Sequence, residues 1–234
     1  MARSRDTASR RVTAKRRPDQ IPGGRHGLTP ERVEESQRGR ILDAITEAVG
    51  AHGYHAARIS EVIARAGVSR KTFYEHFEDK ERCFIAAYER AFARLLTVTL
   101  EAFDAHDAWP DRLRAGMTAL LSSLAFDPAV ARTCFVEVLA AGPTAVDFRN
   151  EAVQGLAQMF DAGRLEVDLD LPPLTAVSMV GGISEIIYRE VAGGRAEQLP
   201  DRVPELMFIC VLPFLGPEAA AAELERPRRR QRKG

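Results

Sequence analysis

Ile59-Ser-Glu-Val-Ile-Ala-Arg-Ala-Gly-Val-Ser-Arg-Lys-Thr-Phe-Tyr-Glu-His-Phe77 reads as two short helices joined by a tight turn. Gly67 can enter the left-handed conformation that the turn requires, Val68 plugs the angle between the helices, and Ser69 caps the second. Phe73 and Phe77, four residues apart, anchor that second helix to the first. With the phenylalanine side inward, Lys71, Thr72, Tyr74 and Glu75 point roughly the other way, and Arg70 lies on the flank near the N-terminus. A helix entering the major groove reads bases mainly with its N-terminal residues and clamps phosphates at its edges. Arg70 or Lys71 suits a guanine edge, and Glu75 suits the amino group of cytosine. A plain solvated helix face is the blander reading of the same residues.

Working outward, order begins at Thr29-Pro30-Glu31, an N-cap, a first-turn proline and a first-turn acid. Ile41, Leu42, Ile45, Ala48 and Val49 recur at helical spacing, and Gly53 stops that helix. Downstream, Asp79 caps a long helix running to about Ala105. In it Phe84, Ile85, Tyr88, Phe92, Leu95, Leu96, Thr99 and Phe103 fall in an arc of about 120°. Further helices are expected near 110–125, 128–140, 144–163, 173–193 and 201–215. No stretch alternates with a period of two, so the class is all-α.

Residues 38–90 resemble the DNA-binding domain of the tetracycline-repressor (TetR) family. The likeness rests on Gly67-Val68-Ser69, Thr72-Phe73-Tyr74, His76-Phe77 and Asp79-Lys80-Glu81. It implies that Thr72, Tyr74 and His76 contact operator phosphates or base edges. It also implies that Lys80 pairs with a phosphate, helped by a backbone N–H at the start of the long helix. Family members often carry Thr at the start of the first short helix, whereas this chain has Ala57 and Arg58. Ser60 then supplies a hydroxyl and Arg58 an ionic phosphate contact. The implied architecture is a three-helix helix-turn-helix domain followed by a helical ligand-binding and dimerisation domain. The implied function is a repressor released from a palindromic operator by a small-molecule effector, with no cofactor.

The formal charge of zero hides an asymmetry. Residues 1–30 hold eight Lys/Arg against two acids, and residues 226–234 hold six and none. The body, 31–225, holds nineteen against thirty-one. The expected organisation is a disordered basic arm over 1–28, a DNA-binding domain over 29–78, a helical domain over 79–216 and a disordered basic tail over 217–234. Residues 31–90 hold ten Lys/Arg and eleven acids, so non-specific attraction to DNA would lean on the arm, with Arg10, Arg11, Lys15, Arg16 and Arg17.

In the helix over 173–193, Ser178, Glu185 and Arg189 occupy a narrow polar stripe and the rest is apolar or small. Such a helix packs on two sides, and Val177, Gly181, Ser184 and Tyr188 form the side assigned to a partner subunit. The last helix is apolar almost all round, and Leu206, Ile209 and Phe214 are assigned to a two-fold interface. A buried core helix is the alternative. Phe103, Trp109, Met117, Phe135, Phe160 and Met179 are candidates to line an effector cavity, although plain core packing explains them as well. Arg132 lies beside Phe135 in an apolar arc, placed to meet a polar ligand group, to snorkel or to pair with an acid.

Cys83, Cys134 and Cys210 each sit inside an apolar run, which favours buried thiols over a redox sensor. No nucleophile elbow, phosphate loop or zinc-protease helix is present, and the five histidines are scattered, so no enzyme is expected. No apolar run approaches the roughly 18–20 residues that span a bilayer, and the basic N-terminus lacks an apolar segment. The expected location is the cytoplasm, with no membrane partner. From a different class, the same features fit a dimeric architectural or adaptor protein with weak, sequence-independent DNA binding.

Overall fold

Among the residues that the computed structural model describes, 29–161, 163 and 171–226, the chain is helical throughout and contains no strand. The expectations placed on 1–28 and on 227–234 lie outside the described residues. Helix α1 (Pro30–His52) starts as anticipated, with the Thr29 side chain accepting from the Arg32 N–H and Pro30 in the first turn. Its first turns are exposed; from Ile41 onward Ile41, Leu42, Ile45, Ala48 and Val49 are buried. Helix α2 (Ile59–Ala66) ends at Gly67, whose φ of 63° and ψ of 39° are left-handed, and α3 (Arg70–His76) follows. A side chain with a Cβ would strain at that turn.

Helix α4 (Lys80–Asp104) is capped by Asp79, which accepts from the Arg82 N–H at 2.8 Å. It buries Phe84, Ile85, Tyr88, Leu95, Thr99 and Phe103, with Phe92 partly buried beside them. Around it stand α5 (Trp109–Phe126), α6 (Pro128–Phe135), α7 (Pro143–Asp161), α8 (Leu174–Ala192) and α9 (Val203–Glu225). Helix α4 lies along α5, α6 packs on both α1 and α8, and α7 packs on α8.

Two expectations are corrected. The single helix anticipated over 128–140 breaks after Phe135 and resumes as a 3-10 turn, Glu137–Ala140. The break turns Glu137 inward, where it is 6% exposed and ion-paired with Arg132. The body does not end at 216 either. A kink at Gly216 (φ 81°, ψ 178°) is followed by helix to Glu225, built on the strong helix formers Ala219–Ala222. Arg114 holds this last piece: its Nε donates to Glu223 Oε2 at 2.6 Å and its Nη2 to the Glu223 carbonyl at 2.7 Å.

The segment Ala196–Glu225 is also more apolar than anticipated. An 18-residue stretch within it has a mean hydropathy of 1.5, long and apolar enough to cross a bilayer by length and composition alone. Pro200, Pro213 and Pro217 interrupt it, and Leu206, Met207, Cys210, Val211 and Phe214 are buried in the chain's own core. Only about a third of the apolar stretch is buried, and Ile209 and Leu212 face outward.

All three cysteines are free and buried, and burial pushes each thiol up to about 12. At pH 8 the thiolate fraction of such a group is ~10⁻⁴. The folded protein should therefore leave all three unreacted with a thiol reagent at pH 8, whereas denatured protein should titrate three. Rapid labelling of any one in the native state would contradict this packing.

Candidate nucleic-acid interface

Helix α3 has seven residues, too few to hold its shape alone. It is held by Phe73, which is fully buried, and by Phe77, whose ring lies 6.0 Å from that of Phe73. At its start the Ser69 hydroxyl accepts from the Thr72 N–H at 3.0 Å and lies 2.9 Å from the Thr72 hydroxyl. The opposite side is open: Lys71 is 87% and Glu75 56% exposed as side chains, 3.5 Å apart, and Tyr74 is 44% exposed. Arg70 extends over the Tyr74 ring, 5.5 Å from its centroid. Arg58, Ser60 and Ser69 are exposed on the same part of the molecule, while Thr72 and His76 are half-buried at its edges. This surface carries donors, acceptors and both charges, the groups that read base edges and clamp phosphates.

Several residues outside the motif position it. The Arg40 guanidinium donates to the Ala66 carbonyl at 2.6 Å, satisfying the C-terminal end of α2. Arg65 bridges Glu61 and Glu47, so α2 is tied to α1, and its hydrogen bonds hold the Glu61 carboxyl below the usual range. Lys80 is turned to the protein rather than outward: its ammonium donates to the Tyr54 carbonyl at 2.9 Å and to the Ala57 carbonyl at 3.3 Å. It also sits 4.3 Å from the Tyr54 ring centroid. Desolvation there lowers its pKa. The Tyr54 N–H, on the same loop, donates to Glu137, on the 3-10 turn after α6, at 2.7 Å. Helix period alone assigns such residues to a face; only the fold brings Arg40, Glu137 and Lys80 to carbonyls and amides far away in the chain.

The residues assigned to an effector cavity divide. Phe103 on α4, Trp109 and Met117 on α5 and Phe160 on α7 are buried. Trp109 donates to the Met159 carbonyl at 3.2 Å and lies 4.7 Å from the Phe214 ring. Phe135 is only partly buried. Met179 instead lines a groove of about 300 Å³ between α8 and α9, with Gly182, Ile183, Ile186, Leu206 and Ile209. Arg132 is engaged by Glu137 at 2.8 Å, the acid pairing among its alternatives.

The residues assigned to a partner subunit divide too. Val177 (41%) and Ile209 (51%) are exposed, as is Gly181, and Tyr188 is half-buried. Ser184, Leu206 and Phe214 are buried within the chain. The stripe of Ser178, Glu185 and Arg189 lies on the same outward side as Val177 and Gly181.

Residues 41–87 match the family described as bacterial regulatory proteins, tetR family. Over 115 residues the chain is 31% identical to the HTH-type transcriptional activator FasR of Mycolicibacterium smegmatis, covering 49% of this chain and 52% of that protein. It is 24% identical over 122 residues to the fatty acid metabolism regulator protein of Bacillus subtilis, covering 52% of this chain and 63% of that one. The matched stretch thus spans roughly half to two thirds of these curated relatives. Among solved structures, FadR of Bacillus subtilis in complex with stearoyl-CoA superposes with a TM-score of 0.67 at 22% identity, over 74% of this chain and 97% of that one. That likeness is one of fold.

Replacing Lys80 by Met keeps the stem and leaves two loop carbonyls without their donor. The cost should be about 1–3 kcal/mol, read as a lower midpoint in urea unfolding of the full chain. An unchanged midpoint would mean that water replaces the ammonium freely.

Proposed function

From an N-terminal domain that belongs to the tetR family of bacterial regulatory proteins, we propose that the chain is a ligand-responsive, sequence-specific DNA-binding transcription regulator acting in the cytoplasm as a homodimer. The observation that carries this reading is the outward side of α3. Lys71, Tyr74 and Glu75 are solvent-facing on a helix whose other side is sealed by a fully buried Phe73. A two-fold axis would set two such helices about 34–36 Å apart, one groove repeat, and so match a palindromic site.

The pairing surface is the outward side of α8 and α9. Leu174, Val177, Ile209 and Leu212 are 71%, 41%, 51% and 39% exposed, and the α8–α9 groove beside them is lined mainly by apolar side chains, among them Met179, Ile183, Ile186 and Leu206. A second copy covering this surface removes an apolar patch that water disfavours.

The effector is proposed to enter the apolar interior bounded by Phe103, Met117 and Phe160. Likeness to the fatty acid metabolism regulator protein of Bacillus subtilis, and to the FadR structure from the same organism with stearoyl-CoA, supports an effector with a long acyl chain. Such a ligand alters DNA affinity only if it binds the DNA-competent and released arrangements unequally.

Selection of binding sites from a random duplex pool, followed by footprinting, tests the reading. A defined palindromic sequence is expected; uniform, sequence-blind binding would instead favour the architectural alternative. Against the selected duplex, Lys71→Ala and Tyr74→Ala should each weaken binding about tenfold or more, with unchanged urea midpoints. Ile209→Asp should shift the sedimentation profile from dimer to folded monomer and weaken operator binding with it.

A further inference from the structure

Glu137 is buried, sits in the second domain and touches the first. Its Oε2 accepts the Tyr54 N–H at 2.7 Å, and its Oε1 accepts from Arg132 at 2.9 Å. Tyr54 is the second residue beyond α1, on the loop that carries the chain into α2 and so to α3. The contact is close. A Cβ at Gly53 would lie 3.2 Å from the same carboxylate, and one at Gly50 would lie 2.7 Å from the Cβ of Ala129 on α6. Lys80 grips the loop from the other side through the Tyr54 and Ala57 carbonyls, and the Tyr54 ring packs edge-on against Phe84 at 5.0 Å. The loop is therefore held between an anion of the second domain and a cation at the head of α4.

We propose that Glu137 is a positioning residue for DNA reading: its carboxylate, oriented by Arg132, latches the loop before α2 to the 3-10 turn that follows α6 and so sets the placement of α3. Helix α6 packs on α8 as well as on α1, and the 3-10 turn that holds Glu137 packs on α7. Any rearrangement among these helices therefore moves the carboxylate relative to the Tyr54 amide. A hydrogen bond with a charged acceptor is directional and short-ranged, so a displacement of about 1 Å breaks it. Neither partner then has an easy replacement, because a buried donor left alone is costly. The latch has two discrete states, made and broken, which is what coupling between two domains needs.

The consequence for operator affinity rests on the regulator reading; the latch itself does not. Full-length wild type, Glu137→Gln, Glu137→Ala and the control Leu139→Ala, a half-exposed neighbour, are compared by hydrogen–deuterium exchange and by binding to selected and scrambled duplexes. Glu137→Ala should raise exchange over residues 53–58 about tenfold or more, and lower affinity for the selected duplex by a similar factor while leaving the scrambled duplex unaffected. Glu137→Gln retains an acceptor for Tyr54 and should fall between Glu137→Ala and wild type; Leu139→Ala should match wild type. If Glu137→Ala does not fold, Glu137→Gln decides: faster exchange confined to 53–77 supports the latch, and a rise spread evenly over all helices overturns it. Wild-type exchange at 53–58 in folded Glu137→Ala also overturns it. Should wild type select no DNA sequence, the regulator reading fails while the exchange measurements still decide the latch.

Discussion

The burial of Phe73 is the interaction on which the rest of the molecule turns. A helix of seven residues has almost no stability of its own, since nucleation consumes most of what its few hydrogen bonds supply. Helix α3 persists because one side is sealed into the core with Phe77 next to it. That sealing frees the other side: Lys71, Tyr74 and Glu75 face water because the phenylalanines cannot. Local order and outward chemistry thus come from the same contact.

Around this contact the protein uses charge to fix positions. Glu137, Glu190 and Glu223 are each under a tenth exposed, and each is met by arginine: Arg132, Arg195 with Arg202, and Arg114. Buried pairs of this kind add little net stability, because desolvation offsets most of the attraction. Their value lies in geometry, since a misplaced partner leaves a charge stranded. Glu223 pins the piece of α9 beyond the kink to α5, and Glu190 ties the end of α8 to the turn before α9. Glu137 performs the same kind of positioning between the turn after α6 and the loop before α2. Hydrogen bonds from Arg195 and Arg202 hold the Glu190 carboxyl below the usual carboxylate range.

The helices from α4 onward pack their apolar residues in two directions. Trp109, Phe103 and Phe214 turn inward, and Trp109 satisfies its N–H on the Met159 carbonyl. Leu174, Val177, Ile209 and Leu212 turn outward on α8 and α9. A helix that is apolar all round requires contact on all sides, and one chain covers only part of the circumference.

Periodicity and turn chemistry alone determined the class of fold, the helix-turn-helix, the capping by Thr29, Ser69 and Asp79, and which side of α3 faces water. These are short-range matters: each depends on residues within a turn or two, and Gly67 with two phenylalanines four apart leaves little freedom. What lay beyond the sequence were the pairings over long separations. The family likeness assigns Lys80 to a DNA phosphate, yet it donates to the Tyr54 and Ala57 carbonyls. Helical spacing leaves Arg132 open between a ligand, snorkelling and an acid, and it meets Glu137 after a helix break. Leu206 and Phe214 were indistinguishable from Ile209 on an all-apolar helix until the fold turned two inward and one outward. Helical spacing states which residues share a side; only tertiary packing decides what that side meets.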